Sequence, residues 1–197
     1  MKTKPYLVCC RVFKDEIDQL SLAKDYNVVF LGMNLHLDYN LLEQSLTKVL
    51  ETLSKKSSED IILVYGDYCL GPNGEMNELA KNHNVVKVDA LNCIDCFLGG
   101  NRSNLKLDPE DKVIFLSPSW IKFFNYHHKR ALKDEQNFFR EMFSGFKGII
   151  LLDTLGNLED YKDQIQAFVD FSSLKVLGTR KIGTGSLKQL IIKTKQV

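Results

Sequence analysis

Asn27-Val28-Val29-Phe30-Leu31-Gly32-Met33 and Asp60-Ile61-Ile62-Leu63-Val64-Tyr65 are two short apolar runs with one long amphipathic stretch between them. Runs of this length, rich in Val and Ile, read as buried strands. Between them Leu41, Leu42, Leu46, Val49, Leu50 and Leu53 recur at helical spacing. Asp38 is placed to cap the first turn, and the spacing predicts a helix to about Ser54. Lys55 to Glu59 is a polar connection. Strand, helix and strand in that order make a βαβ unit, the crossover that parallel neighbours require.

The alternation continues on both sides. Upstream, Tyr6 to Val12 reads as a strand and Phe13 to Asp25 as a helix. Downstream come a turn-rich loop at Gly66 to Gly74 and a helix at Glu75 to Lys81. Strands are expected at Val85 to Val88, Lys112 to Leu116, Gly148 to Leu152 and Leu174 to Leu177. Helices are expected at Leu91 to Leu98, Ser119 to Phe143, Asn157 to Phe171 and Ser186 to Lys193. The pattern predicts an α/β fold: a mostly parallel sheet with helices on both faces, doubly wound and Rossmann- or flavodoxin-like. One domain over residues 1–197 is the reading preferred, with two lobes meeting near residues 101–110 as its alternative.

The composition sets limits. The chain has 197 residues, 44% of them hydrophobic and 26% charged, which excludes wholesale disorder. Lys and Arg number 26 against 25 Asp and Glu, so no net charge draws the chain to nucleic acid or anionic membrane. No apolar run approaches the ~20 residues of a membrane helix. No cleavage-site pattern follows the N-terminal Met1-Lys2-Thr3-Lys4-Pro5, and the five cysteines do not suit a disulfide framework. A cytoplasmic protein with a small-molecule ligand is expected; the oligomeric state is left open.

In an open parallel sheet, ligands bind beyond the carboxyl ends of the strands. There this sequence places Cys9, Cys10 and Arg11 after the first strand and Asn34 and His36 after the second. Gly66, Asp67, Tyr68 and Cys69 follow the third, and Asp89, Asn92 and Cys93 the fourth. Ser117, Pro118 and Ser119 follow the fifth, and Asp153 and Thr154 the sixth. Three thiolates and an imidazole are a ligand set for zinc, and three cysteines with an open position suit an iron–sulfur cluster. The packing alternative is that these cysteines are small buried residues at strand ends. Cys93-Ile94-Asp95-Cys96 is also a Cys-x-x-Cys at a helix start, which raises a thiol-redox reading. The Gly66–Gly74 loop raises a third, a non-catalytic module binding an anionic cofactor through backbone N–H groups.

The same residues carry a family resemblance. Cys10-Arg11-Val12-Phe13-Lys14-Asp15-Glu16, Leu35-His36, Tyr65-Gly66 with Cys69 and Cys93-Ile94-Asp95-Cys96-Phe97-Leu98-Gly99 follow one another in order. Ser117-Pro118-Ser119-Trp120-Ile121 and Leu152-Asp153-Thr154 complete the series. Together they resemble a prokaryotic family known as domain of unknown function 1638. The resemblance implies that Cys10, His36, Cys69 and Cys93 are the family-type polar positions, with Cys9 and Cys96 as extras; the metal reading takes those four as its ligands. Two departures stand out: Asp67-Tyr68 lengthens the spacing before Cys69, and Asn92 replaces an acidic residue. On the metal reading, Asp67 and Asp153 are the candidate acid–base groups. Gly66, Tyr68, Asn92 and Trp120 then line the cofactor pocket.

Overall fold

The computed structural model describes residues 4–56, 59–128, 141 and 143–195. The chain forms two compact units. The first runs to Asn104 and takes back the segment from Thr184; the second is Leu105–Gly183.

The first unit is built on a four-stranded parallel sheet in the order β2-β1-β3-β4. Its strands are β1 (Tyr6–Cys10), β2 (Asn27–Leu31), β3 (Ile61–Val64) and β4 (Val86–Lys87). The central pair is in register from Tyr6↔Ile61 to Cys9↔Val64. Both members are buried, except that Tyr6 at the start of β1 is half-buried, which is why they read as unbroken apolar runs. The chain moves one way from β1 to β2, then crosses back past β1 to β3 and on to β4. Right-handed crossovers therefore set α1 (Lys14–Gln19) on one face and α2 (Tyr39–Lys56) and α3 (Glu75–Asn82) on the other. The direction reverses between β1 and β3, and the crevice of a doubly wound sheet opens at that reversal.

Helix α2 runs as the leucine pattern predicts, with Leu42, Leu46, Leu50 and Leu53 buried. Leu41 is the exception and faces solvent, because it lies off the i, i+4 seam. The single helix expected at Phe13 to Asp25 is instead α1 flanked by two 3-10 turns, Arg11–Phe13 and Leu22–Lys24. Ser21, in the left-handed region at φ 53°, separates the last two. Two short helices, α4 (Cys93–Phe97) and α5 (Ser103–Leu107), close the unit, and α5 was not expected from the sequence.

The second unit carries a three-stranded parallel sheet, β5-β6-β7, with strands Val113–Leu116, Gly148–Asp153 and Val176–Lys181. The sequence reading places one continuous sheet; the structure has two. Helices α6 (Pro118–His128) and α7 (Lys162–Ser172) pack together over a core that includes Leu116, Ile121, Phe143, Leu151 and Phe168. Most of the stretch expected to extend α6 toward Phe143 lies outside the described residues. The final helix, α8 (Gly185–Thr194), returns to the first unit and lies against α4. Both sheets are wholly parallel and helix-connected, so the fold is α/β of the doubly wound type. Among the described residues, no helix is long and apolar enough to cross a membrane.

Candidate functional site

The carboxyl ends of β1 and β3 flank the reversal in strand order, and each leads into a 3-10 turn. Cys10 ends β1 and is 2% exposed. Its Sγ accepts the Val12 N–H at 3.4 Å, so the thiol caps the turn that follows. Cys9, one residue earlier, points to the opposite face of the pleat and donates to the Val29 carbonyl at 3.8 Å. This separates the two adjacent cysteines: Cys9 is held in the sheet and Cys10 sits at its edge.

His36 lies in the 3-10 turn Met33–Leu37 that follows β2. Its Nε2 is 3.3 Å from Cys10 Sγ. The imidazole is stacked on Tyr65, centroids 5.9 Å apart and planes 20° from parallel. Cys69 lies in the turn Asp67–Leu70 after β3, and Cys93 opens α4 after β4. Both are buried. Cys93 pushes up the pKa of both Cys10 and Cys69, and Cys10 that of Cys69, so the three thiols lie within electrostatic reach of one another.

Burial governs the protonation of this set. It raises Cys10 to about 12, against a smaller lowering from the Val12 N–H. Cys69 is driven up mainly by burial, and His36 is held below the usual histidine range by burial as well. The Cys10–His36 contact is therefore a neutral thiol beside a neutral imidazole. A thiolate–imidazolium nucleophile is not set up by these surroundings. Among the described residues, no three His, Cys, Asp or Glu side chains are gathered tightly enough to hold a metal ion as they stand. Three thiols and an imidazole are donors of the kind a soft metal takes.

The surroundings fix where Cys69 and Cys93 sit. Gly66 is a point of backbone contact: a Cβ there would lie 2.3 Å from the Asn92 Cα and N and 2.4 Å from the Leu91 carbonyl carbon. The Asp67 and Tyr68 N–H groups donate to the Ala90 and Leu91 carbonyls at 2.9 Å, clamping the two loops together. Asn92 caps α4, its Oδ1 accepting the Asp95 N–H at 2.9 Å. Asp95, fully buried, accepts from the N–H groups of Leu91, Arg102, Ser103 and Asn104 at 2.9, 3.0, 2.6 and 3.4 Å. This carboxylate ties both ends of the Cys93 segment, a role the sequence reading missed. An acid inside an apolar Cys-x-x-Cys followed by Gly99-Gly100 was the available signal.

The remaining candidates have other partners. Asp67 is ion-paired to Lys87 at 2.6 Å, and that lysine also donates to the Val88 carbonyl at 2.7 Å. Tyr68 is half exposed. The loop N–H groups of Asp67, Tyr68, Cys69 and Gly71 are all spent on backbone carbonyls, which argues against an anion cradle there. Cys96 is completely buried and its thiol is pushed well up by that burial, which argues against a redox pair with Cys93. All five cysteines are free thiols. Asp153 and Trp120 belong to the second unit. There Asp153 Oδ1 accepts the Gly156 N–H at 2.7 Å and lines a cavity of about 660 Å³ with Thr179 and Lys181. Trp120 packs against Phe123 and Phe124, centroids 5.5 and 5.6 Å away.

No curated protein and no solved structure matches the chain. A family model matches residues 30–191, a span that takes in His36, Cys69 and Cys93 and begins beyond Cys10. By that match, over most of its length, the chain belongs to the family described as protein of unknown function DUF1638.

Proposed function

We propose that the first unit holds a soft metal centre, zinc or an iron–sulfur cluster, at the switch point between β1 and β3. Cys10, Cys69 and Cys93 supply thiolates and His36 the imidazole. The observation that carries the reading is the Cys10–His36 contact at 3.3 Å, with two further thiols in electrostatic reach of Cys10 or of each other. Packing alone accounts for Cys9 and Cys96, which are satisfied inside the sheet and the core. It does not by itself account for thiols at the ends of three different segments lying within electrostatic reach of one another, one of them against an imidazole. Burial holds the Cys10 and Cys69 thiols protonated, so a metal must displace those protons and its uptake strengthens as pH rises. A reducing, cytoplasmic setting suits the free cysteines.

Three thiolates and one imidazole fill a structural zinc site; with His36 released they leave a position for a small-molecule substrate. A metal-dependent enzyme is the finer form of the reading, and Asp67, paired to Lys87 in the turn that carries Cys69, is its candidate acid–base group. The test is metal content of protein purified anaerobically without chelator. About one zinc per chain, or iron with matching sulfide, is expected. Cys69→Ser, Cys93→Ser and His36→Ala should each lower that content while Cys96→Ala does not. Metal-free wild type that also fails to take up added zinc would overturn the reading.

A further inference from the structure

We infer that the second unit binds a free α-amino acid with an aliphatic side chain in the cleft between β6, β7 and α7, its ammonium on Asp153 and its carboxylate on Lys181. The site is separate from the proposed metal centre, which belongs to the first unit. The cleft has a volume of about 660 Å³ and lies wholly within residues 105–183. One irregularity in the strands shapes it. Ile149 pairs with Val176 but Ile150 pairs with Gly178, so Leu177 is the extra residue of a β-bulge. Beyond the bulge, Leu151 pairs with Thr179 and Asp153 with Lys181. Partners on neighbouring strands point to the same face, so the bulge sets Val176, Thr179 and Lys181 on the face that carries Leu151 and Asp153. All five line the cleft, and Leu177 and Arg180 do not. Helix α7 packs on α6. Its Ile165 and Val169 remain half-buried and Val176 is 41% exposed, so an apolar wall faces the cleft without closing it.

The polar groups sit together at the carboxyl ends of the strands. Asp153 is 7% exposed and its Oδ1 accepts the Gly156 N–H at 2.7 Å, while Oδ2 has no hydrogen-bond partner among the described residues. Lys181 is its neighbour on the next strand, about 4.8 Å away across the sheet. The Ile182 and Gly183 N–H groups both donate to the Asp153 carbonyl, at 3.0 and 3.1 Å, which fixes the two strand ends side by side. Yet Asp153 and Lys181 form no ion pair with each other or with any other described residue. Of the other charged lining groups, Glu159 and Lys162 pair with each other and Asp163 is exposed. A nearly buried carboxylate and a neighbouring ammonium that do not join leave room for a group that joins both. A zwitterion does so, its ammonium donating to Asp153 and its carboxylate accepting from Lys181. The wall of Leu151, Leu158, Ile165, Val169 and Val176 then takes an aliphatic side chain.

The test is isothermal titration of the full-length chain with L-valine, L-leucine and L-isoleucine. At least one should bind with a dissociation constant of about 1 mM or tighter. Asp153→Asn removes the charge but keeps an Oδ1 acceptor for the Gly156 N–H, and Lys181→Met keeps the aliphatic stem on an exposed edge strand. Each variant should bind that amino acid about tenfold more weakly. The amine and the acid with the same side chain (3-methylbutylamine and 4-methylpentanoate for leucine) should each lose about as much. No binding of any of the three amino acids by the wild type overturns the inference. So does a half-ligand that binds as tightly as the whole, or a folded variant that binds as wild type does. Should Asp153→Asn fail to fold, Lys181→Met and the two half-ligands decide the question.

Discussion

Replacing Gly66 by alanine isolates the contact that holds the Cys69 turn against the start of α4. Gly66 has φ −81° and ψ 163°, extended backbone that alanine adopts freely, so no conformational strain enters. The whole effect is steric. The new methyl would sit 2.3 Å from the Asn92 backbone, about 1 Å inside ordinary contact, and its neighbours are main-chain atoms that cannot rotate away. The two loops must separate by about that distance, on the scale of core overpacking at about 1–3 kcal/mol. Separation also lengthens the Asp67–Ala90 and Tyr68–Leu91 hydrogen bonds, each contributing about 1 kcal/mol. A total near 3 kcal/mol lowers the melting temperature of a chain this size by about 6–12 °C. Urea unfolding followed by circular dichroism measures the loss, and Co(II) titration measures its effect on the site. Cobalt affinity should fall as well, because Cys69 and Cys93 are carried by the two loops being parted. A Gly66→Ala protein within about 0.5 kcal/mol of wild type would refute the close-approach argument.

Three further outcomes follow from the same geometry. Asp95→Asn must turn an amide NH2 toward one pair of the four N–H donors now facing the carboxylate, so urea denaturation should show a loss of about 3 kcal/mol. Burial raises the thiols of Cys9, Cys10, Cys69 and Cys96. A raised folded-state pKa gives stability that is complete below the unfolded thiol value of about 8.5 and is lost as pH climbs toward the folded one, about 12 for Cys10. Metal-free protein should therefore lose about 1.4 kcal/mol per pH unit for each such thiol above pH 9, and urea midpoints unchanged from pH 8 to 10 would contradict the burial. Cys96→Ala should cost about 1–2 kcal/mol of stability through the cavity it leaves, with metal content unchanged; parallel loss of metal would place Cys96 in the site.

The parts of the fold legible in the sequence are those where periodicity and burial coincide. The Val28–Leu31 and Ile61–Val64 runs became β2 and β3, and the leucines of α2 lie on its buried seam; β3, fully buried, leaves no room for polar residues, and β2, at the sheet edge, keeps Val28, Val29 and Phe30 half-buried. The strand ends then placed four candidate ligands on one edge of one sheet. What stayed hidden depends on tertiary contact. The division of the strands into two sheets is set by which edges pair, and no single strand records that. The left-handed Ser21 that interrupts the first helical stretch carries no glycine or proline to mark it. Thr179, Arg180 and Lys181 lie beyond the strand expected at Leu174 to Leu177, yet they belong to β7, an exposed edge strand that tolerates such residues. Tyr65 reads as one more apolar strand residue, although its buried hydroxyl has no hydrogen-bond partner among the described residues. Asp95 shows only as an acid in an apolar stretch, because its partners are backbone groups, which every sequence has.

The central claim is that three cysteines and His36 surround one metal. X-ray absorption at the metal edge, on protein purified anaerobically, counts those neighbours directly. The account predicts a shell of about three sulfurs near 2.3 Å with one nitrogen near 2.0–2.1 Å if the metal is zinc. In Cys69→Ser the sulfur count should fall by one. A shell of oxygen and nitrogen alone, or a sulfur count untouched by Cys69→Ser, would contradict the assignment and return these thiols to packing roles.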